Sequence, residues 1–357
     1  MGQSDMPSGA GLKILLTHER FPPDFAGGGE YVVLETARSL IRRGADIQVL
    51  TTGDPSIRCY EGVPTKRLAI HRYRMNFVAD EIAEAARPCD LILTFNYHAC
   101  LASLAAARRT NKPVVCTIMG LYQKAWIEMK GYVLGLMWML LERYQVTRGF
   151  DRLLFPSNEA LELGVRLGAP RARSLVNFPG IEWPPADLNV DREDVVLFSG
   201  KFDVRKGILD LFEVARRLPQ VRFRLVCWGE QEGFFRKQAP VNVEFVRFER
   251  GRPLQEAFAR ARIFFMPSHA ETFGLALVEA MAAGCAIVST LPLKFRGVRT
   301  EPSDCDAMTQ AVSHLWEDRA LCQRWGDENR QLASQYTWER NADTVLSVCH
   351  EILGQKP

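Results

Sequence analysis

The chain has 357 residues, 47% apolar and 24% charged, with a formal net charge of +3. That is enough apolar material for two packed cores, and it excludes a disordered, collagen-like or coiled-coil chain. With charge so near balance and no block of five like charges, the electrostatic footprint of a nucleic-acid binder is missing, and the longest apolar run, within Tyr132–Leu141, is well short of the roughly 20 residues of a spanning helix.

The opening MGQSDMPSGAG lacks the apolar stretch of a secretory signal, and the nine cysteines are scattered without a Cys-x-x-Cys pair. Reduced thiols in a cytoplasmic protein are expected. Leu12–Thr17 reads as a buried strand feeding a Pro- and Gly-rich loop that holds Gly28 and Gly29. Residues 30–43 then show helical periodicity closed by Gly44, and Ile47–Thr51 returns to strand. Such a βαβ unit requires a parallel sheet.

The alternation continues with strands at Asp90–Thr94, Pro113–Ile118 and Arg152–Pro156, a helix at Ala99–Arg109, and a long helical region over about residues 122–148. That last region carries Trp126, Leu136 and Leu140 in an apolar stripe flanked by Lys124, Lys130, Arg143 and Arg148. Apolar stripes at helical spacing predict a helix buried in the N-terminal core; the alternative is a helix lying on a membrane surface.

Asn177–Asp194 has the Pro content and lost periodicity of a linker, after which the α/β pattern restarts. Strands are predicted at Val195–Ser199, Arg222–Cys227, Val243–Phe248, Ile263–Pro267 and Ala286–Thr290, with helices at Ile208–Arg217, Leu254–Arg260 and Gly274–Ala283. The expected architecture is two Rossmann-like domains: residues 1–178, residues 179–340, and a helix over 341–357 packing back on the first. A ligand is expected at the carboxyl ends of the strands, in a deep cleft between the facing domains.

Two segments carry candidate chemistry. In Phe264–Thr290 a strand ends at Pro267, a loop presents Glu271, and a helix begins near Gly274. Free backbone N–H groups of Thr272, Phe273, Gly274 and Leu275 at that start suit a diphosphate. Glu279, eight residues beyond Glu271, sits among small apolar residues where an unpartnered carboxylate is costly, and it can accept two hydrogen bonds from the vicinal hydroxyls of a ribose. In isolation, both glutamates read as ordinary helix-start and solvated-helix positions. In Phe198–Leu218 a strand ends at Gly200, and Lys201, Arg205 and Lys206 cluster before Gly207, able to neutralise a phosphate leaving group. His269, beside Glu271, and His18, after the first strand and near the glycine turn, are further candidates on loops. No G-x-G-x-x-G follows either first strand, which argues against a nicotinamide dehydrogenase.

The Glu-x7-Glu segment PSHAETFGLALVEAMAAGCAIVST, with GKFDVRKG and the repeated α/β pattern, resembles family 4 of the retaining glycosyltransferases with the GT-B fold. The likeness runs over most of the chain, through GGGEYVVLETARSLIRRG, PSNEALELG and TWERNADTVLSVCHEIL. It implies transfer of a hexose-type sugar, with retention and without a metal or other cofactor, from a UDP- or GDP-sugar to a glycan, lipid-linked or small-molecule acceptor. Nucleic acid is not among the implied partners, and the basic N-terminal half leaves room for peripheral contact with the inner face of a membrane. By the resemblance Glu279 binds the donor ribose, Glu271 the transferred sugar, Lys201 and Lys206 the diphosphate, and Gly28 and Gly29 line the site from the other domain.

Three departures bear on activity. Lys201 stands where an arginine is usual, keeping the charge but losing the bidentate fork. Met119 replaces a common histidine and cannot donate a hydrogen bond to a sugar hydroxyl, unless His98 or Tyr122 takes over that role. Ser289–Val312 lacks the usual Gly-Gly turn and is shortened. The alternative function is therefore a GT-B protein that binds a nucleotide sugar without turnover.

Overall fold

The computed structural model describes residues 8–24, 27–247 and 251–354. The chain divides into two compact units, residues 1–180 with 336–357, and residues 181–335.

The first unit runs β1 (Lys13–Thr17), α1 (Gly28–Arg42), β2 (Asp46–Thr52), β3 (Cys59–Tyr60), β4 (Val63–Leu68), α2 (Ala79–Ala86), β5 (Leu91–Phe95), α3 (Cys100–Thr110), β6 (Val114–Thr117), α4 (Ala125–Lys130), α5 (Tyr132–Val146), β7 (Arg152–Phe155), α6 (Asn158–Arg166) and β8 (Ser174–Val176). Its eight-stranded sheet has the order β3-β4-β2-β1-β5-β6-β7-β8, parallel except for the β3–β4 pair. β1 and β5 are buried almost throughout because helices cover both faces, which is why they read as unbroken apolar runs.

The second unit runs β9 (Glu193–Lys201), α7 (Ile208–Arg217), β10 (Phe223–Trp228), α8 (Glu232–Arg236), β11 (Val243–Arg247), α9 (Arg252–Arg260), β12 (Ala261–Met266), α10 (Leu275–Ala282), β13 (Ala286–Ser289), β14 (Gly297–Arg299), α11 (Cys305–Glu317) and α12 (Arg319–Ala333). Its wholly parallel sheet has the order β11-β10-β9-β12-β13-β14. One face of this sheet contributes Phe198, Phe223, Phe265 and Val288 to a core that Phe212 of α7 completes.

The chain then returns to the first unit as α13 (Trp338–Leu353). Residues 336–340, expected at the end of the second domain, belong to the first instead. Tyr336 packs edge-on against Phe178 at 5.3 Å and Trp338 against Tyr31 at 5.9 Å, and a Cβ at Gly180 would lie 2.4 Å from the Trp338 nitrogen. Further along α13, Asp343 pairs with Arg43 at 2.8 Å and His350 Nε2 meets the Ser8 carbonyl at 2.7 Å.

The long helical region near residues 122–148 departs from the sequence expectation twice. Gly131, at φ 76°, breaks it into α4 and α5. The residues α5 buries are Gly135, Glu142, Gln145 and Val146, and Trp138 packs on Tyr97 and Trp126, whereas Tyr132, Val133, Leu134, Leu136, Met137, Leu140 and Tyr144 face outward, so the expectation of a buried apolar stripe is wrong. Polar side chains can line the inner face because they are matched there. The Glu142 carboxylate accepts from the Tyr97 hydroxyl (3.0 Å), the Trp126 indole (2.6 Å), the backbone N–H of Tyr122 and Gln123 (2.9 and 3.0 Å) and the Gln123 amide (2.8 Å). Gln145 closes a pair of bonds with the Tyr97 backbone, which sits at φ 83°. All nine cysteines are free thiols, and seven are buried.

Candidate active site

In an open parallel sheet the strand order reverses at one point, and the loops leaving the strands on either side of it splay apart to form a crevice. In the second unit that point lies between β9 and β12. The loops there are Lys201–Gly207 and Pro267–Gly274, which hold half of the residues singled out from sequence.

Glycine holds those two loops together. Gly207, at φ +66°, closes the 3-10 turn Val204–Lys206, and a Cβ there would sit 1.9 Å from the Pro267 carbonyl oxygen. Only glycine permits both the backbone conformation and this approach. The His269 N–H then donates to the Arg205 carbonyl at 2.7 Å, and His269 Nε2 meets Asp210 Oδ2 at 2.6 Å, so His269 orders the loop against α7. The outcome is a direct ion pair between Lys206 and Glu271, whose side chains are only 16% and 12% exposed.

Burial pulls the Lys206 ammonium down to about 8, and the neighbouring Arg205 guanidinium pushes the same way, against Asp203. The Glu271 carboxylate in contact favours its charged form. Arg205 itself turns to Asp203 at 3.0 Å, the residue whose other oxygen caps the turn. Lys201, at the end of β9, is exposed and lies over Gly229, whose missing side chain leaves room for its stem. Gly200 precedes it, with the Lys206 side chain beside its α-carbon.

α10 begins one residue later than expected. Gly274 is its left-handed cap, φ 88°, packed so tightly on Leu291 that a Cβ would lie 2.4 Å from that side chain. Thr272, Phe273 and Gly274 therefore precede the helix, and among the four expected donors only Leu275 belongs to its first turn. No side chain caps that turn. Glu279 follows one turn on and is half-buried. It opens on a pocket of the same unit lined by Glu182, Pro184, Leu254, Gln255 and Phe258. These lining residues were not picked out from sequence; the only signal was the Gly251 cap and Pro253 in the first turn of α9.

The first unit has its own reversal, between β1 and β5. His18 lies buried at the end of β1, with Nδ1 2.6 Å from the Arg20 carbonyl and its ring edge-on to Phe95 at 5.6 Å. Gly28 and Gly29 open α1, whose first turn has no side-chain cap, and Arg20 pairs with Glu30 of that turn at 3.1 Å. Met119 is brought against Gly29: a Cβ there would meet its methyl at 3.4 Å. The Met119 backbone is pinned by Asn96, whose carboxamide accepts from the Met119 N–H at 2.7 Å and donates to the Gly120 carbonyl at 3.0 Å. His98 packs between Tyr73 and Trp138 and bonds Asn76 at 3.0 Å, and burial lowers its pKa. Tyr122 turns against Trp126.

Comparison with known proteins agrees with this fold. Residues 26–182 match the model of Glycosyltransferase Family 4, and residues 193–318 that of Glycosyl transferases group 1. A D-inositol 3-phosphate glycosyltransferase of Xylanimonas cellulosilytica is 25% identical over 93% of each chain. Among solved structures, the sucrose-phosphate synthase of Thermosynechococcus elongatus superposes with a TM-score of 0.82 at 21% identity, covering 96% of this chain and 99% of that one. Anabaena HepE in complex with UDP-glucose gives 0.76 at 17% identity, covering 96% and 99%. With two parallel-sheet α/β domains of the GT-B type and a matched model over each, the chain belongs to the group 1 and family 4 glycosyltransferases.

Proposed function

We propose that the chain is a retaining glycosyltransferase that moves a hexose-type sugar from a UDP- or GDP-sugar to a glycan, lipid-linked or small-molecule acceptor. The observation that carries this reading is the Lys206–Glu271 pair at the strand-order reversal of the second domain, with Glu279 opening on a pocket of that domain. A nucleoside in the pocket would give its ribose hydroxyls to Glu279. Its diphosphate would be met by Lys201, Lys206 and the uncapped first turn of α10, so that the negative charge growing on the leaving group is held by protein cations without a metal. Glu271 would then turn from Lys206 to hydroxyls of the transferred sugar. The acceptor oxygen bonds the anomeric carbon on the face from which the diphosphate departs, and the acceptor proton passes to the departing diphosphate oxygen.

Titration calorimetry against a panel of UDP- and GDP-sugars tests the donor site. Glu279→Ala is expected to weaken donor binding about tenfold to a hundredfold, the loss of one or two hydrogen bonds to a charged acceptor. Absence of binding by the wild type, or equal binding by Glu279→Ala, overturns the reading.

The Lys206 ammonium adds a pH signature. It is charged below about 8 in the free protein, the form a diphosphate needs, and neutral above. UDP affinity is expected to hold steady below pH 8 and to fall by up to about tenfold per pH unit above it, since binding must then recover a proton. Lys206→Arg, charged throughout, is expected to flatten that limb, and a flat wild-type profile removes Lys206 from the diphosphate site.

A second reading, donor binding without turnover, is favoured by Met119, which places a thioether against Gly29 where the resembled family has a hydrogen-bonding ring. Donor binding with no nucleotide released over a broad acceptor panel supports it, and one labelled product ends it.

A further inference from the structure

Seven of the thirteen large hydrophobic side chains that stand exposed among the described residues lie within thirteen consecutive positions of α5, with Tyr132 72% exposed and Met137 61%. At about 100° per residue, Tyr132, Val133, Leu136, Met137, Leu140 and Tyr144 share one arc of about 140°. The helix is thus inverted relative to one that packs on a core: its polar Glu142 and Gln145 are inside and its leucines outside. This face is not loose. Gly135 lets α5 approach α4 so closely that a Cβ would sit 2.5 Å from the Ile127 α-carbon, and five hydrogen bonds fix Glu142 beneath it. A contiguous apolar face held in a rigid helix marks a surface that something covers.

The charge around it selects the occupant. Lys124, Lys130 and Arg143 are exposed, and among the described residues no carboxylate pairs with them. Arg143 emerges on the apolar arc itself, where its long stem can lie along the helix and carry the guanidinium to a lipid phosphate. Glu142, the acidic residue of α5, is withdrawn into the protein. Tyr132 and Tyr144 mark the two ends, as amphipathic rings do at the headgroup level. A second copy docking here by two-fold symmetry would bring Lys130 and Arg143 against their own equivalents, which opposes self-association.

We propose that the outer face of α5 lies on an anionic bilayer surface, its apolar side chains entering the interface and Lys124, Lys130 and Arg143 meeting lipid phosphates. Among the described residues no helix is long and apolar enough to cross a membrane, and the proposed contact is superficial. It goes beyond the donor-site reading and stands without it, since its test uses no sugar.

The full chain is sedimented with phosphatidylcholine vesicles, with and without about a third phosphatidylglycerol. Wild type is expected to partition at least about tenfold more strongly onto the anionic vesicles. The double variant Met137→Glu/Leu140→Glu is expected to lose about tenfold or more of that binding, and Lys130→Glu/Arg143→Glu to lose the preference for anionic lipid; both changes are on the surface and leave the packing under the helix intact. Wild type that stays in the supernatant with both vesicle types, or unchanged binding by either variant, overturns the proposal. So does a wild-type dimer that Leu140→Glu splits in the absence of vesicle binding, which would assign the face to a second copy.

Discussion

Lys206→Ala is expected to lower kcat/KM for donor turnover about a thousandfold, roughly 4 kcal/mol of transition-state stabilisation at 1.4 kcal/mol per tenfold, with a smaller effect on donor affinity. The side chain is nearly enclosed, so its charge is little screened by water, and on the proposed reading its effect would grow as negative charge builds on the leaving diphosphate. The same substitution also leaves Glu271 without its buried partner, which by itself would cost stability. Measuring thermal midpoint beside kinetics separates the two: a fall in kcat/KM of less than about tenfold in a folded variant removes Lys206 from the reacting site. Lys201→Ala, taken from an exposed position, provides the weaker comparison.

The second large effect is structural. Glu142→Leu removes the acceptor of five hydrogen bonds from a buried site, stranding the Trp126 indole, two backbone N–H groups and the Gln123 amide, while the Tyr97 hydroxyl keeps the Gly120 carbonyl. At about 1–3 kcal/mol for each buried donor left unmade, and with the loop before α4 free to rehydrate some of them, a loss of about 4 kcal/mol is expected in denaturant unfolding. Glu142→Gln, which keeps one acceptor oxygen, should lose less than half of that. A loss below about 1 kcal/mol for Glu142→Leu would show that the loop and α4 are not held by this carboxylate.

The strands were legible because a parallel sheet buried on both faces leaves a continuous apolar signature, as in LKILL before His18 and RIFFM before Pro267. Residues 59–86 were not legible. β4, VPTKRL, alternates buried with exposed positions at a sheet margin and carries Pro64, so neither length nor composition announces it. In the site, the glutamates and the lysine cluster followed from spacing, but their meeting did not. Lys206 and Glu271 are 65 positions apart, and what joins them is the fit of Gly207 under the Pro267 carbonyl, a contact that exists only once β9 and β12 are neighbours. α5 misled for a related reason: periodicity shows that one side of a helix is apolar, but only the arrangement around Glu142 decides which side turns inward.

The return of α13 makes the first domain discontinuous in sequence, with a continuous second domain inserted between its parts. On a ribosome, residues 181–335 are complete while the first domain still lacks the helix that pairs Asp343 with Arg43, Glu351 with Arg152 and His350 with Ser8. The order of completion is thus the reverse of the order of synthesis. Until α13 emerges, the face of α1 that receives it stays open, and the nascent protein has a finished second domain and a first domain whose closure waits on α13.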